Sequence, residues 1–447
     1  MDATTEPAGS ARGTGYRLLA RVIDARPEEL KALAWSWLYI LSVFCSYYVI
    51  RPIRDEIGVA GGVENLPWLF TGTLIGMVAV NPPFAALVAK LPRARFISVT
   101  YRFFAANLLL FFMLLRGATA EQSVWIGRIF FIWTSIFNLF VVSVFWALMV
   151  DVFNSEQGKR VFGFISAGAT LGAIMGSSLI ASLARVVEPI YLFIASAALL
   201  EVAVLSVRRL SRLSEALSTQ PAARGEKAVI GGNFLSGVTH AFKSPYLLNI
   251  GVYMLLYSIT STFLYFDQAA IVSRSFADRA ARTEFFARVD LLVNVLTLAC
   301  QIFLTERILR AFGVALTLTL LPALSAFGFA ALGLAPTIAI LVAFQVLRRT
   351  GNFAVARPTR EVLFTVVPRE DKYKTKNFID TVVYRTGDQV GAWSYALFSF
   401  LGLGLTAIAF AAVPLSAAWL VNGWWLGKKQ EAMAGREDDS AEAPAHA

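Results

Sequence analysis

The chain has 447 residues, of which 57% are hydrophobic and only 16% are charged, and its mean hydropathy is +0.62. A water-soluble protein of this length cannot bury that much apolar surface in its own core, so the composition excludes an ordinary soluble domain. The net charge of +10 is typical of membrane proteins with Lys and Arg on the cytoplasmic side. Nucleic-acid binding is the less favoured interpretation, because the basic residues are spread over many loops.

Few residues are of the types that build metal or catalytic sites. The two cysteines, Cys45 and Cys300, each lie inside an apolar run, and the two histidines are His240 and His446. These residues form neither a disulfide framework nor a zinc site. The sequence also has no GxxxxGK[ST] loop and no nucleophile–base grouping. We therefore predict no metal, no cofactor and no enzymatic activity.

The apolar runs are about 18–25 residues long, the length at which a helix crosses a bilayer. They do not alternate with period two, as the strands of a membrane β-barrel would. They predict an all-α membrane protein with about 12 transmembrane helices, arranged as two six-helix halves. The predicted spans are 32–53, 67–89, 96–115, 124–150, 160–184, 189–207, 246–270, 286–305, 311–333, 336–357, 377–402 and 404–426.

Lys and Arg concentrate in alternate loops, which predicts that both termini are cytoplasmic, in a bacterial inner membrane. The predicted divisions are a cytoplasmic N-terminal segment 1–31, a first half 32–207, a cytoplasmic linker 208–245, a second half 246–426 and a disordered tail 427–447. Tight basic loops at 90–96 and 306–313 occupy equivalent places in the halves. They favour parallel repeats with a substrate site between them, although any tight cytoplasmic loop tends to be basic.

Charged residues inside the tenth span are the strongest functional signal, because a charge in hydrocarbon is costly unless it faces a cavity or a partner. Gln345, Arg349 and Asn352 share one helix face, and Arg348 and Arg349 are predicted near the midplane. Pro358 is expected to break or kink the helix before Arg360 and Glu361. The alternative is that these arginines pair with acids on neighbouring helices and only hold the bundle together.

The first span ends with Tyr47, Arg51 and the pair Arg54–Asp55 on one face. Arginine is suited to two-point contact with phosphate or carboxylate. The competing interpretation is a helix end at the outer interface, with an aromatic belt and a snorkelling arginine.

The eleventh span has a polar face that contains Asp380 and Asp388, with Arg385 one turn away. Arg385 and Asp388 could equally form an internal salt bridge with no role in transport. Asp151, at the end of the fourth span, and Asp267, in the seventh, are more often interface charges than ligands. In the fifth span, Gly168, Gly172 and Gly176 are spaced for close helix packing.

Three stretches together resemble the ATP/ADP translocase family, the nucleotide transporters of plastids and intracellular bacteria, a branch related to the major facilitator superfamily. They are VIRPIRD at 49–55, FWALMVD at 145–151 followed by SEQGKR at 155–160, and PTRE at 358–361 followed by the region 368–387. The resemblance implies a transporter fold and a nucleotide solute. It places Arg54 where the family has a lysine and Asp151 where it has a functional glutamate.

Two positions depart from the family pattern. Asp388 stands where the resemblance places a second functional lysine, and the seventh-span glutamate falls near Tyr265, with Asp267 close by. A carboxylate at Asp388 would repel a triphosphate. We therefore expect an anionic solute, a nucleotide or a related phosphorylated or organic anion, rather than strict ATP/ADP exchange.

The resulting hypothesis is a secondary transporter that works by alternating access, through antiport or proton coupling, with the first, fourth, seventh, tenth and part of the eleventh helices around a central cavity. We expect it to act as a monomer in the bilayer on a small anionic solute. Two alternatives stay open: a proton-driven exporter of drugs or metabolites, and a membrane scaffold or receptor that transports nothing. The predicted substrate-binding residues are Tyr47, Arg51, Arg54, Arg349, Asn352, Arg360 and Arg385; the predicted coupling or gating residues are Asp55, Asp151, Asp267, Glu361, Asp380 and Asp388.

Overall fold

The computed structural model describes residues 29–90, 93–153, 155–217, 244–367, 375–376 and 378–442. All regular structure within these ranges is helical, and twelve long helical segments follow one another along the chain. They are α1 (Leu30–Ala60), α2 (Leu66–Lys90), α3 (Arg93–Gly117), α4 (Ala120–Val152), α5 (Ser155–Leu183), α6 (Leu192–Leu217), α7 (Pro245–Ser275), α8 (Arg279–Phe303), α9 (Thr305–Leu334), α10 (Ile338–Val362), α11 (Ile379–Val383 and Tyr384–Phe400) and α12 (Leu405–Glu442).

Within the described ranges, eleven of these helices are long and apolar enough to cross a membrane. The exception is α11, whose Arg385 and Asp388 interrupt its apolar character. The prediction of an all-α membrane fold is confirmed. The predicted N-terminal segment lies outside the described residues up to position 28, as does the predicted linker between 218 and 243.

The two largest differences from the predicted boundaries arise because amphipathic helix continues beyond the apolar run. Helix α6 extends to Leu217 instead of ending at 207, with Val207 and Leu210 both fully buried. Helix α12 continues through the predicted disordered tail to Glu442. In that tail Glu431 accepts a hydrogen bond from the backbone N–H of Ala315 at 3.1 Å, which anchors the helix to α9. Residues 443–447 lie outside the described part of the chain.

The predicted break at Pro358 is replaced by a local change of helix type. A π-helical turn over Asn352–Ala356 precedes the proline, which then occupies the first turn of the segment Arg357–Val362. A proline is tolerated there because the N–H groups of a first helical turn need no partner within that turn. A second π-helical turn, Ile379–Val383, opens α11. Single π-turns inside α-helices are frequent at functional sites.

Helices α1 and α5 approach each other closely along the predicted glycine stripe. A Cβ atom on Gly172 would lie 2.4 Å from the carbonyl oxygen of Leu41, and one on Gly176 would lie 2.5 Å from that of Cys45. No larger side chain fits at either position without moving the α1 backbone. The packing interpretation of this stripe is therefore confirmed.

Three large apolar cores organise the bundle. One consists almost entirely of residues from α1–α6, and another consists of residues from α7–α12. The third joins the two halves near the end of the bundle where α1 terminates, called here the Ala60 end, and includes Leu66 of α2 and Phe263 of α7. The opposite end is called the Leu30 end.

Ion pairs reinforce the junction at the Ala60 end. Glu56 of α1, 3% exposed, accepts hydrogen bonds at 3.1 Å from both Arg279 and Arg282 of α8. Arg185, just after α5, pairs with Glu284 of α8. These contacts, called here the Ala60-end clasp, tie the first half to the second.

Candidate functional site

A polar cavity of about 280 Å³ lies between the two halves. Its lining residues come from α1, α7, α8, α10 and α11, with Phe70 from α2. The hypothesis placed α4 around this cavity; in the structure α8 takes that place, contributing Phe286, Val289 and Asp290. Five arginines and three aspartates line the cavity, so its formal charge is +2. These charged residues are Arg51, Arg54, Arg348, Arg349 and Arg385 with Asp55, Asp290 and Asp388.

Asp290 of α8 joins two of the predicted anion-binding arginines. Its Oδ1 lies 2.7 Å from Nη1 of Arg349 and 3.3 Å from Nη1 of Arg51, so one carboxylate links α8 to both α10 and α1. Sequence analysis did not select Asp290 as a site residue, since Arg288 and Asp290 open an apolar run and charges in that position are more often interface charges or structural pairs. For Arg349 the alternative interpretation, pairing with an acid on a neighbouring helix, describes the geometry.

Asp55 organises the cavity wall formed by α1. Its Oδ1 accepts hydrogen bonds from Nη1 of Arg54 and from the hydroxyl of Tyr265 on α7, both at 3.0 Å. The guanidinium of Arg54 also stacks over the ring of Phe131, with 3.8 Å from Cζ to the centroid. Tyr47 lines the cavity on the same face of α1. The first-span residues thus face the cavity rather than a lipid interface.

The polar face of α11 meets α7. Arg385 and Asp388 form a pair at 3.0 Å, and Ser258 of α7 donates a hydrogen bond to the other oxygen of Asp388 at 2.6 Å. Thr262 lies at 3.5 Å from the same oxygen. Both charged residues line the cavity, so the pair combines an internal salt bridge with a position at the site.

Arg348 is the cavity arginine whose surroundings differ from those of the others. Its side chain is bound by hydroxyl groups of Ser325, Ser261 and Thr260 at 2.9–3.0 Å, and it is only 4% exposed. Its guanidinium also lies 5.4 Å from the ring centroid of Tyr257. Within the described part of the chain, no carboxylate lies within ion-pair distance of Arg348.

Sequence analysis noted the depth of Arg348 but selected Arg349 instead. The sequence feature that could have identified Arg348 is its position on the apolar face of α10, where Leu341, Phe344 and Arg348 are spaced three and four residues apart. An arginine on a stripe that is otherwise core needs a dedicated polar environment.

The remaining predicted residues lie away from this cavity, apart from Asn352, which lines it. Arg360 pairs with Asp380 at 3.5 Å and donates to the sulfur of Met254, while Glu361 pairs with Lys376. Asp151 lies at the exposed end of α4. Asp267 is buried between α7 and α11, where its Oδ1 accepts a hydrogen bond from Tyr395 at 2.9 Å.

A second cavity, of about 420 Å³, lies between α1, α5, α8 and α10. Glu361, Arg357 and Gln301 line it near the Leu30 end, and Phe353 lines both cavities. The two cavities are therefore neighbours that share the ring of Phe353. The second cavity lies on the side of the first that faces the Leu30 end of the bundle.

Residues 34–371 match the family model described as Major Facilitator Superfamily. The chain belongs to this superfamily. Helices α2–α10 fall inside the match, as does all of α1 except its first four residues. With its membrane-crossing helices, the chain is a multi-pass integral membrane protein.

The resemblance predicted from the three motifs is also confirmed by curated relatives. The chain is 23% identical to "ADP,ATP carrier protein 2" of Chlamydia pneumoniae, over 92% of this chain and 91% of the relative. It is 21% identical to "ADP,ATP carrier protein 1" of Chlamydia trachomatis, over 94% of this chain and 92% of the relative.

Two solved structures share the superfamily fold. One is a bacterial homologue of the human lysosomal transporter Spinster, at TM-score 0.55 and 12% identity, covering 92% of this chain and 97% of that chain. The other is a bacterial homologue of the iron transporter ferroportin, at TM-score 0.62 and 12% identity, covering 89% of this chain and 98% of that chain.

Proposed function

We propose that this chain is an alternating-access secondary transporter that binds an anionic solute in the central cavity, acting as a monomer with both termini in the cytoplasm of a bacterial inner membrane. The main support for this proposal is Arg348, whose buried guanidinium in the cavity wall has no carboxylate partner among the described residues. Burying a cation is costly, and the hydroxyl groups around it compensate only in part. A bound anion would supply the missing charge.

The cavity charge narrows the class of solute. A formal charge of +2 is matched by a solute with one phosphate group, which carries about −1.5 to −2 at neutral pH. Aromatic side chains such as Tyr47, Phe70 and Tyr257 also line the cavity, and such rings stack on nucleobases. Together with the ADP,ATP carrier relatives, these features support a nucleotide of low charge, with other phosphorylated metabolites and dicarboxylates as the next candidates.

Uptake into proteoliposomes tests this proposal. Labelled AMP, ADP, ATP, a sugar phosphate and a dicarboxylate are each offered with and without unlabelled solute inside. We expect saturable uptake of at least one anion, with AMP or ADP taken up faster than ATP. If no anion is taken up and a lipophilic cation is exported instead, the proposal is wrong and the exporter alternative is correct.

The variant Arg348→Gln tests the role of the unpaired charge. It should lower transport of the best anion at least tenfold, because charge-assisted hydrogen bonds contribute about 1.5–3 kcal/mol and 1.4 kcal/mol corresponds to a factor of ten. Arg310→Gln is the matched control, since Arg310 is 79% exposed and pairs with Glu306 one turn away. Equal transport by the two variants, both with normal folding, would contradict an anion site at Arg348.

The variant Asp388→Asn tests the effect of a carboxylate at the position where the resemblance to the ATP/ADP translocase family places a lysine. Removing this carboxylate lessens repulsion of further phosphate groups by about 1–2 kcal/mol at an effective dielectric of about 20. We expect the ratio of ATP to AMP transport to rise roughly tenfold. An unchanged ratio would mean that Asp388 does not face the solute.

A further inference from the structure

A buried polar pair lies behind the cavity, between α7 and α11. Asp267 is 1% exposed, and one of its oxygens accepts a hydrogen bond from the hydroxyl of Tyr395 at 2.9 Å. The ring of Tyr395 packs edge-on against Phe263 and Phe266, with centroids 5.7 and 5.0 Å apart. The carboxyl group is therefore enclosed by apolar rings and a single hydroxyl donor.

Among the residues that the structure describes, the second carboxyl oxygen of Asp267 has no hydrogen-bond partner. Oδ2 is fully enclosed and receives no hydrogen bond, and within the described residues no Lys or Arg lies within ion-pair distance. On α7 the next charged residue is Arg274, two turns farther toward the helix end, and from α10 Gln345 donates a hydrogen bond to the neighbouring Gln268. A carboxylate with one neutral donor and no cation is far more costly to bury than a carboxylic acid, so the group takes up a proton.

The helices that enclose Asp267 also form the cavity wall. On α7, Asp267 is adjacent to Gln268, which lines the cavity, and two residues from Tyr265, which is bound to Asp55. On α11, Tyr395 lies two turns after Asp388, which is bound to Ser258 of α7. Sliding or separation of α7 and α11 would therefore change the solute site and expose Asp267 in the same movement.

We propose that Asp267 is a proton-binding site, with Tyr395 as its positioning residue, and that its proton is the coupling ion of transport. In the enclosed state the carboxyl group is neutral, with the proton on Oδ2 and the hydroxyl of Tyr395 donating to Oδ1. When the α7–α11 interface opens to water, the carboxyl group releases H⁺ and becomes a hydrated carboxylate. The coupling role rests on the proposed transport function, whereas proton binding does not.

Infrared difference spectroscopy tests proton binding without any solute. At neutral pH the wild-type protein in detergent should show the C=O stretch of a buried protonated carboxylic acid, shifted by deuterium exchange and absent in Asp267→Asn. Glu306→Gln, which removes an exposed acid, should retain the band. Tyr395→Phe should retain the band but shift the pH midpoint at which it disappears. Absence of the band from the wild type would overturn the proposal.

Uptake of labelled AMP and ADP into proteoliposomes tests coupling. An imposed pH gradient should change the wild-type initial rate at least fivefold, and Asp267→Asn should lose this response while retaining exchange against internal unlabelled AMP or ADP. A wild-type rate that responds to a sodium gradient but not to a pH gradient would overturn proton coupling. If neither nucleotide enters by any route, the proposed nucleotide transport fails, and the infrared band alone decides whether Asp267 holds a proton.

Discussion

Arg348 and Arg349 are adjacent in α10, yet their guanidinium groups lie in different chemical surroundings. Arg349 contacts Asp290 at 2.7 Å and shares that carboxylate with Arg51 across the two halves. Arg348 points toward α7 and α9, where Ser261, Thr260 and Ser325 supply neutral oxygens. The Asp290 cluster has its countercharge built in, whereas the Arg348 pocket does not. Depth in the membrane therefore does not distinguish a structural arginine from one suited to bind an anion. The distinction lies in whether the guanidinium is paired with a carboxylate.

The largest expected effect comes from breaking the Asp290 cluster. Asp290→Asn leaves two partly buried guanidinium groups with less countercharge, and removing one partner of a buried ion pair costs about 3–5 kcal/mol. The apparent free energy of unfolding, measured by denaturant titration in mixed micelles, should fall by about this amount. Asp278→Asn, at an exposed N-cap of α8, is the control. A loss below about 1 kcal/mol would show that water already screens the cluster.

The next effect compares the two arginines directly. We expect Arg348→Gln to weaken AMP or ADP binding about 10–100-fold, since it removes about 1.5–3 kcal/mol of charge-assisted hydrogen bonding. Arg349→Gln should weaken binding less and stability more, because its charge is already committed to Asp290. Isothermal titration and thermal unfolding of the same two samples provide both quantities. The reverse order of affinities would assign the anion site to Arg349.

A smaller effect is expected from the groups that orient Arg348. Ser261→Ala removes a hydrogen bond of 3.0 Å to Nη1 of Arg348, and one such bond contributes about 1 kcal/mol. Affinity for the anion should fall about fivefold. Ser273→Ala on the same helix is the matched control, because its exposed hydroxyl donates to the backbone carbonyl of Ala270. Equal affinities would mean that the hydroxyl groups of Ser325 and Thr260 and the backbone carbonyl of Tyr257 suffice to hold the guanidinium.

The smallest effect is expected at the Ala60-end clasp. Arg279→Gln weakens one of the two contacts of Glu56, and because Arg279 is 57% exposed and Arg282 still pairs with Glu56, the change is about 0.2–1 kcal/mol. The population opened at that end should rise by a factor of about five at most. Distances between spin labels on α1 and α8 measure this population. An unchanged distance distribution would mean that the clasp has no role in closing that end.

The sequence predicted features that follow from average physical properties. Apolar runs located the helices, and polar residues on shared faces of α1, α10 and α11 located much of the cavity wall, including Tyr47, Arg51, Asn352 and Asp388. Helix faces follow from the 3.6-residue period alone, so these predictions needed no knowledge of neighbours.

The pairing of charges could not be predicted in the same way. Whether Arg348 or Arg349 meets a carboxylate depends on α8, distant in sequence, and the position of Asp290 at the start of an apolar run favoured an interface charge. Similarly, the helical end of α12 depends on a contact between Glu431 and Ala315 of α9, whereas its polar composition alone favoured disorder.

The fit of Gly172 and Gly176 against the α1 backbone has a practical consequence. Because the two main chains leave no room between them, α1 and α5 must travel together whichever way the transporter opens. A label pair across α1 and α5 should report one fixed distance throughout the cycle. This label pair can serve as an internal reference distance. With it, distance changes between the two halves can be distinguished from changes in label orientation.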